Sequence, residues 1–314
     1  MDQQTALSKM VAPGTRRKGA YRGGIIQIHI TRACDKACFG CTQGSNLGGK
    51  TGMIPLDLFE QAVLSLKDYF GVVGIFGGNP ALHPKFPELC EILKKHIPYE
   101  RRGLWCNHPK GKGAVMRETF NPSISNLNVH LDQEAYDEFN RDWPGCGAFG
   151  LKEDSRHSPV FVAMQDVIED EGERWDLISR CDVNQNWSAM IGVFRGELRA
   201  WFCEVAGAQS ILHQWEEGYP DTGVQVTPDW WRKSMQEFAE QVKLHCHACG
   251  VPLRGYGSLA QDEAGIEQVS ATHADVYVPK RQGRGVQLVQ LRSEVSEQSL
   301  KSFVSYIQNS KSCQ

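Results

Sequence analysis

The chain has 314 residues, of which 41% are hydrophobic and 23% charged, and its formal net charge is −3. These values are typical of an ordinary globular protein with one large and one smaller domain. No apolar run approaches the ~20 residues that cross a bilayer, so a membrane partner is excluded. The first residues also lack the basic start and apolar stretch of a secretory signal. We therefore expect a cytoplasmic protein with reduced thiols.

The amino-terminal residues 1–20 show no apolar periodicity and contain Pro13, Gly14 and Gly19. This pattern predicts a flexible tail that carries little chemistry. The basic run of residues 16–18 within it is expected to be solvated.

Strands and helices alternate from residue 21 to residue 174. The predicted strands are 25–31, 72–76, 103–106, 126–131 and 159–164, and the predicted helices are 55–70, 85–97 and 133–141. Alternation of this kind predicts an α/β fold with a parallel sheet, either doubly wound or curled into a barrel. Ligands of such sheets bind at the carboxyl ends of the strands.

The pattern changes near residue 175, where a second, smaller domain is expected to begin. Its predicted elements are a hairpin of 190–194 and 198–202, a helix at 230–242, a terminal hairpin of 276–278 and 286–291, and a closing helix at 297–307.

A compact group of cysteines follows the first predicted strand directly. Cys34, Cys38 and Cys41 have the spacing C-x3-C-x2-C. Three thiolates on one loop can bind three irons of a [4Fe–4S] cluster and leave the fourth iron open to another ligand. A zinc knuckle is the alternative, but zinc sites usually have a fourth ligand nearby, and this triplet has none in the adjacent sequence.

The spacing, its position after the first strand and Thr31 at its start resemble the radical S-adenosylmethionine superfamily over residues 24–170. The resemblance implies a partial (β/α)6 TIM-like barrel in which Cys34, Cys38 and Cys41 hold the cluster. The open iron would then bind S-adenosylmethionine, which is cleaved reductively to a 5′-deoxyadenosyl radical that abstracts hydrogen from the substrate.

Four further positions match the family's cofactor contacts. The turn Gly77-Gly78-Asn79-Pro80 is similar to the family's Gly-Gly-Glu-Pro turn, which binds the methionyl ammonium, and its glycines would let the backbone approach the cofactor. Asn79 keeps an acceptor oxygen but not the negative charge. The same resemblance implies contacts from Asn107, His130 and Phe39. A plain β-turn and a buried structural histidine are the alternatives for Asn79 and His130.

Four more cysteines form a closed set further along the chain: Cys181, Cys203, Cys246 and Cys249. Four thiolates suit either zinc or a fully ligated second [4Fe–4S] cluster, and the adjacent His245 and His247 also permit zinc with mixed ligands. The arrangement resembles the twitch-type auxiliary-cluster domain, although two extra residues lie between Gly196 and Cys203. The resemblance implies a core at 21–174, an auxiliary domain at 175–258 and a carboxy-terminal hairpin and helix at 259–314.

Two carboxylates lie beside these cysteines and are the candidate catalytic groups. Asp182 follows Cys181, and Glu204 follows Cys203. Either one could deprotonate a substrate radical or hold a substrate amine.

The hypothesis is therefore a radical S-adenosylmethionine oxidoreductase or isomerase with an auxiliary cluster for electron transfer. Its partners would be a small-molecule or nucleotide-like substrate and an electron donor such as flavodoxin or ferredoxin. The alternatives are modification of a hypermodified pyrimidine in viral DNA, peptide modification, and a non-enzymatic zinc-binding interaction protein. The net charge does not indicate a nucleic-acid partner, although basic segments permit one.

Overall fold

The computed structural model describes residues 1–18, 21–22, 24–47, 52–152, 159–253, 266–274 and 285–289. The strands are β1 Arg17–Lys18, β2 Tyr21–Arg22, β3 Ile25–Thr31, β4 Val72–Gly77, β5 Arg102–Leu104, β6 Ser188–Phe194, β7 Glu197–Trp201, β8 Val224–Gln225, β9 Ile266–Ser270 and β10 Gly285–Val289. The α-helices are α1 Gln3–Lys9, α2 Leu56–Ser65, α3 Phe86–His96, α4 Gly113–Thr119, α5 Gln133–Asp142, α6 Met164–Val167, α7 Glu171–Ser179, α8 Asp182–Asn186, α9 Glu204–His213, α10 Ala239–His245 and α11 Ala271–Ala274.

A six-stranded sheet forms the centre, in the order β5-β4-β3-β6-β7-β8. β3 pairs in parallel with both β4 and β6, and β5 pairs in parallel with β4, whereas β7 and β8 are antiparallel additions. Two single parallel bridges, Trp105 with Asn126 and Asn128 with Phe149, extend the pairing beyond β5. The predicted α/β class is confirmed. Within the described residues, β5 and β8 do not pair, so the sheet is open.

The central strand is buried on both faces, as parallel strands covered by helices usually are. Ile26, Ile28 and Ile30 of β3 belong to the main core, which also includes apolar residues of α2 and α3. The alternate β3 positions face the opposite side, where Phe76 of β4 packs with residues of β6 and β7. The carboxyl ends of β3 and β4 therefore meet at one edge, where the cysteine loop begins.

The prediction of a flexible, solvated tail is wrong for residues 1–16. Helix α1 buries Ala6 and Leu7 in the main core, and Asp2 caps the helix by accepting a hydrogen bond from the Thr5 amide at 2.8 Å. Arg16 is completely buried. The apolar positions of α1 occupy too short a helix to give a visible period in the sequence, and the burial comes from tertiary packing.

Several predicted elements differ from the structure between residues 126 and 253. Residues 126–131 contribute single bridges instead of a strand, and 159–163 form turns that lead into α6. This second segment is hydrogen-bonded by single contacts: the Val160 carbonyl accepts from the Gly250 amide, and the Phe161 carbonyl accepts from the Ser270 amide. The predicted helix at 230–242 consists of two 3₁₀ turns followed by α10.

The hairpin predicted for a separate auxiliary domain is present as β6 and β7, and β6 extends the core sheet. Near the carboxyl end, β10 pairs in parallel with β9. The predicted strand at 276–278, the predicted helix at 297–307 and Cys313 lie outside the described residues. Across the described ranges, no helix is both long and apolar enough to cross a membrane.

Candidate iron–sulfur sites

The first cysteine loop starts at the carboxyl end of β3. Its three cysteines form no disulfide among the described residues and are partly exposed: Cys34, Cys38 and Cys41. The turn out of the strand is fixed by Thr31, whose Oγ1 accepts a hydrogen bond from the Ala33 amide at 2.9 Å. The loop then closes on itself where the Gly44 amide donates to the Cys41 carbonyl at 2.9 Å. Three thiols on one short loop thus remain accessible to a ligand.

Cys34 has two hydrogen-bond donors directed at its sulfur. The Lys36 amide lies 3.4 Å from Cys34 Sγ, and Asn107 Nδ2 lies 3.3 Å from it. Burial and then the nearby Cys41 raise the pKa of the Cys34 thiol, so these two cysteines are close enough to interact. Because metal ligation requires the thiolate, the two donors would stabilise the ligating form.

The turn Gly77-Gly78 packs against the cysteine loop itself. The Gly78 amide donates to the Thr31 carbonyl at 2.8 Å, and the Asn79 amide donates to the Ala33 carbonyl at 2.6 Å. A Cβ on Gly77 would lie 2.1 Å from the Thr31 oxygen, and one on Gly78 would lie 2.3 Å from the Ala33 oxygen. The glycines are therefore needed for this backbone contact, which is a different reason from the cofactor approach expected from the sequence.

Asn79 is 0% exposed and its side chain is fully engaged. Its Nδ2 donates to the His108 carbonyl at 3.1 Å and to Asp35 at 3.3 Å. Its Oδ1 accepts from the Ala81 amide at 3.0 Å and from the Cys106 thiol at 3.3 Å. A carbonyl oxygen has two lone pairs, so Asn79 would have to break one of these bonds to bind an ammonium. Pro80 follows as the first residue of a 3₁₀ turn.

Asn107 leaves a free acceptor beside the first cysteine. Its Nδ2 is bonded to Cys34, whereas its Oδ1 is buried and has no hydrogen-bond partner in the described part of the chain. A buried acceptor without a partner is costly, typically about 1–3 kcal/mol, and calls for a donor. An ammonium or amide group bound next to Cys34 would satisfy it.

His130 follows the Asn128 bridge beyond β5 and has a strained backbone conformation. Both His130 and Leu131 have positive φ angles, 50° and 64°, which non-glycine residues seldom adopt. The pair is held by the Asn128 side chain, which accepts the His130 amide at 3.0 Å, and by an ion pair of 2.5 Å between Lys36 and Asp132. His130 is partly exposed, as is Phe39 on the loop, so both can be reached from solvent.

The four later cysteines come together at a second site. Cys181 precedes α8, Cys203 precedes α9, and Cys246 and Cys249 follow α10. Burial, followed by the neighbouring Cys181, raises the pKa of Cys203 to about 12. Burial and then the other three cysteines raise the pKa of Cys246 well above its usual value. Such mutual effects require all four thiols to be close neighbours.

The same four thiols line one cavity of about 390 Å³, part of which is open to solvent. The other lining residues are mainly apolar: Met10, Ile178, Val183, Asn184, Phe202, Val205, Ala206, Gln209, His245, Val251 and Pro252. Among the described residues, no three His, Cys, Asp or Glu side chains are arranged to hold a single metal ion. A cluster makes a different demand, because each iron takes its own cysteine.

Two buried side chains next to this cavity carry hydrogen-bond donors without partners among the described residues. Gln209 lines it, and Gln209 Nε2 has no hydrogen-bond partner within the described ranges. Arg16 donates through Nη2 to the Phe202 carbonyl, but its Nε and Nη1 have no partner there. Buried donors are normally satisfied. A negatively charged group with several hydrogen-bond acceptors, held by the four cysteines, would satisfy these donors.

Helix α9 separates the second cavity from a smaller one at the first loop. The smaller cavity of about 190 Å³ is lined by Cys41 and by Gln209 and Leu212 of α9. Gln209 thus contacts both cavities. From Cys203 to Leu212 the helix spans about 14 Å at 1.5 Å per residue. The same short helix therefore lines both cysteine sites.

The two candidate carboxylates are in different surroundings. Asp182 is exposed, and its oxygens accept from Asn186 at 2.7 Å and from the Trp187 indole at 2.8 Å, both near its own helix. Glu204 points to the sheet, where it accepts from Gln27 at 2.9 Å and from Ser188. Glu204 is the one that links the second site to the buried face of the sheet.

Sequence reasoning missed two residues of the second site, Arg16 and Gln209. Gln209 lies in a stretch with a helical pattern, and placing that helix directly after Cys203 would have turned it toward the cavity. Arg16 carried no such signal, because a basic run at a chain end ordinarily predicts solvent exposure.

Comparisons with known proteins give only a distant structural similarity. No family model and no curated protein matches the chain. The crystal structure of BtrN in complex with AdoMet and 2-DOIA is similar, with a TM-score of 0.40 and 14% identity, covering 74% of this chain and 89% of that one. Selenomethionine BtrN in an open conformation gives 0.41 and 15%, covering 76% and 91%. The functional assignment must therefore come from the chain's own residues.

Proposed function

We propose that this protein is a radical S-adenosylmethionine enzyme that carries a second, fully cysteine-ligated cluster. The observation that carries the proposal is the position of Cys34, Cys38 and Cys41: three partly exposed thiols on one loop at the carboxyl end of the central strand. Parallel sheets bind their ligands at this end. Three cysteines can hold a [4Fe–4S] cluster and leave one iron for a cofactor.

The chain's own groups prepare this first site for an anionic cluster. Bound there with S-adenosylmethionine, the cluster supplies reductive cleavage of a C–S bond and so a 5′-deoxyadenosyl radical. The Lys36 amide and Asn107 Nδ2 stabilise the Cys34 thiolate. The backbone bonds between the Gly77-Gly78 turn and the loop hold the three cysteines at a fixed position against β4.

Asn107 is the proposed acceptor for the ammonium of S-adenosylmethionine. Its free Oδ1 lies on a side chain already bonded to Cys34, whereas the oxygen of Asn79 is occupied twice. Gly77, Gly78, Pro80, Phe39 and His130 remain proposed contacts around it. The exposed positions of Phe39 and His130 suit contact with a bound nucleoside.

The second site is proposed to transfer electrons. Four cysteines leave no iron free, so a substrate would exchange electrons with the cluster and not bind to it. Glu204, next to Cys203, is the better candidate for moving a substrate proton because it points inward, whereas Asp182 is exposed and bonds to the nearby Asn186 side chain. The substrate would be a small molecule or nucleotide-like compound, oxidised or rearranged with electrons from a flavodoxin or ferredoxin.

The test is anaerobic reconstitution followed by counting of iron and sulfide and by assay of 5′-deoxyadenosine with S-adenosylmethionine and dithionite. The wild-type chain should bind iron and sulfide for two clusters and form the product. Cys38→Ala should lose one cluster and all product. Cys146→Ala, which removes a buried cysteine outside both sites, should keep both clusters. Undiminished product from Cys38→Ala would contradict the proposal.

The role of Asn107 has its own test. Asn107→Leu removes the free acceptor, and a lost hydrogen bond to a charged group costs about 1.5–3 kcal/mol, which is about 10- to 100-fold in affinity for S-adenosylmethionine. The shift of the cluster's electron paramagnetic resonance signal on titration with S-adenosylmethionine measures this affinity. Asn140→Ala on exposed α5 is the control. Equal affinities in both variants would exclude Asn107 as a contact.

A further inference from the structure

Arg16 is a permanently charged side chain that is 0% exposed. Arginine is almost never buried to this extent unless it is paired, because an isolated charge in the interior is very unfavourable. The backbone around it is fixed. A Cβ on Gly24 would lie only 2.6 Å from Arg16 Cβ, and a Cβ on Gly14 would lie 2.7 Å from the Trp231 ring. The burial of Arg16 is therefore built into the fold.

The hydrogen bonds of the guanidinium do not account for its burial. Nη2 donates to the carbonyl of Phe202, the residue that precedes Cys203. Nε and Nη1 have no partner in the part of the chain that the structure describes. The guanidinium charge of Arg16 is therefore bonded to the residue next to Cys203, a proposed ligand of the second site.

The groups with which Arg16 interacts electrostatically are Cys203, Tyr69, Glu204 and Cys181. The Glu204 carboxylate is already bonded to Gln27 and Ser188. Ligation of a cluster would convert Cys181 and Cys203 to thiolates, so the buried cation would then gain two anionic neighbours.

We propose that Arg16 is the buried counter-cation of the cluster held by Cys181, Cys203, Cys246 and Cys249, and that it raises the reduction potential of that cluster. The inference rests on the proposed function, which places a cluster there. One-electron reduction by an external reductant adds one negative charge to the cluster and leaves its cysteine ligands in place. A fixed cation nearby stabilises the more negative, reduced form more strongly than the oxidised form. The amino-terminal segment thus tunes the electron-transfer site.

Arg16→Lys and Arg16→Gln separate charge from shape. In the full-length, reconstituted chain, the reduced fraction of each cluster is followed by electron paramagnetic resonance in a dithionite titration with redox mediators, and the first cluster serves as the internal reference. Arg16→Gln should lower the equilibrium constant for reduction of the second cluster at least tenfold, which is about 59 mV for one electron. The first cluster should not shift, and Arg16→Lys should keep most of the wild-type potential.

Cluster loading gives a second readout that does not depend on the potential. Full loading of the second site in Arg16→Lys together with little loading in Arg16→Gln would also support the proposal, since the variants differ in charge. An unchanged second potential in a fully loaded Arg16→Gln would overturn it. Loss of the second cluster from both variants alike would overturn it too, because shape would then be what the site needs.

Failure of the proposed function is seen separately, in the wild-type chain. Iron and sulfide for one cluster only, or zinc at the second site, would overturn the second cluster and this inference with it. A wild-type chain with two clusters and an unresponsive Arg16→Gln would overturn this inference alone.

Discussion

Gly77 and Gly78 lie where the end of β4 meets the backbone of the cysteine loop. Their missing side chains allow two amides, those of Gly78 and Asn79, to bond to the carbonyls of Thr31 and Ala33. The contact sets the distance between the loop and the sheet. A loop that must present three thiols to one cluster needs such a fixed base, because small displacements of ligands weaken a site.

Gly78→Ala should therefore loosen the first site. The new Cβ would lie 2.3 Å from the Ala33 oxygen, a backbone atom that can move only with the loop. Overpacking of this kind costs about 1–3 kcal/mol. We expect a lower melting temperature and reduced iron at the first site, with the second site still loaded. Gly218→Ala, where nothing lies within 4 Å, is the control for backbone strain alone. Full first-site loading in Gly78→Ala would contradict this role.

His29 of β3 makes stability depend on pH. Burial, and next the positive charge of Arg32, lower the pKa of His29 to about 3. The unfolded chain takes up this proton near pH 6.5, so below that pH the unfolded state binds more protons than the folded state. The His29 contribution to stability is therefore complete above about pH 6.5 and is lost as the pH falls towards 3, at about 1.4 kcal/mol per pH unit.

Denaturant unfolding of the protein between pH 4 and 7 would measure this dependence. His29→Phe keeps a ring against Phe76, whose centroid lies 5.6 Å from that of His29, and should flatten the slope by about 1.4 kcal/mol per pH unit. Asn140→Ala, at an exposed residue that does not titrate, should leave the slope as it is. Identical slopes for His29→Phe and the wild type would show that His29 is not the group responsible.

How far single residues can be predicted depends on whether their role is local. Spacing, ligand chemistry and the family resemblance were enough to predict the three cysteines of the first loop and the four of the second as two groups, because each spacing constrains what a loop can bind. The surroundings of Asn79 and Arg16 could not be found in this way. Asn79 bonds to residues 44 and 29 positions away, and Arg16 bonds to one 186 positions away. Such contacts exist only after the chain has folded.

At the scale of elements, two helices connect the sites to the rest of the fold. Helix α1 packs against α7, and its carboxyl end leads to Met10, which lines the second cavity. The following Val11 forms two backbone bonds with the Asn184 side chain of α8, at 3.0 and 3.2 Å. Helix α9 begins directly after Cys203 and separates the two cavities. The sequence predicted neither helix. Helix α1 has only 7 residues, and its apolar face becomes evident only from the packing. Helix α9 has a helical pattern in its sequence that the prediction did not use.

Leu7→Ala in α1 should weaken the second site selectively. Leu7 is buried in the main core, and truncation of a buried leucine costs about 2–5 kcal/mol. The loss would loosen α1 and the adjoining Met10, so we expect a lower melting temperature and less iron at the second site. Ser8→Ala changes an exposed residue of the same helix and should have neither effect. Equal iron losses from both sites in Leu7→Ala would show that α1 supports the whole fold and not this site.

At the scale of the whole molecule, backbone hydrogen bonds join the late segments of the chain, residues 159–165 and 246–270 where described, around the second site. The Gln165 amide donates to the His247 carbonyl at 3.0 Å, and the Gly250 amide donates to the Val160 carbonyl at 3.3 Å. The Ser270 amide donates to the Phe161 carbonyl at 3.0 Å. Position 250 has no room for a side chain, because a Cβ would lie 1.8 Å from the Pro159 oxygen. Segments far apart in sequence are thus joined next to Cys246 and Cys249.

This arrangement predicts that the group at the second site holds the late segments together. Metal binding contributes to folding free energy where its ligands come from separate segments. In the reconstituted protein, Cys249→Ala should speed amide hydrogen exchange at Gln165, Gly250 and Ser270 by tenfold or more. The amides of β4 should keep their wild-type protection, because β4 is hydrogen-bonded to β3 on one side and to β5 on the other. Cys146→Ala is the matched cysteine control. Faster exchange spread evenly over β3 and β4 would mean that the second site stabilises the whole sheet, and the local model would have to be abandoned.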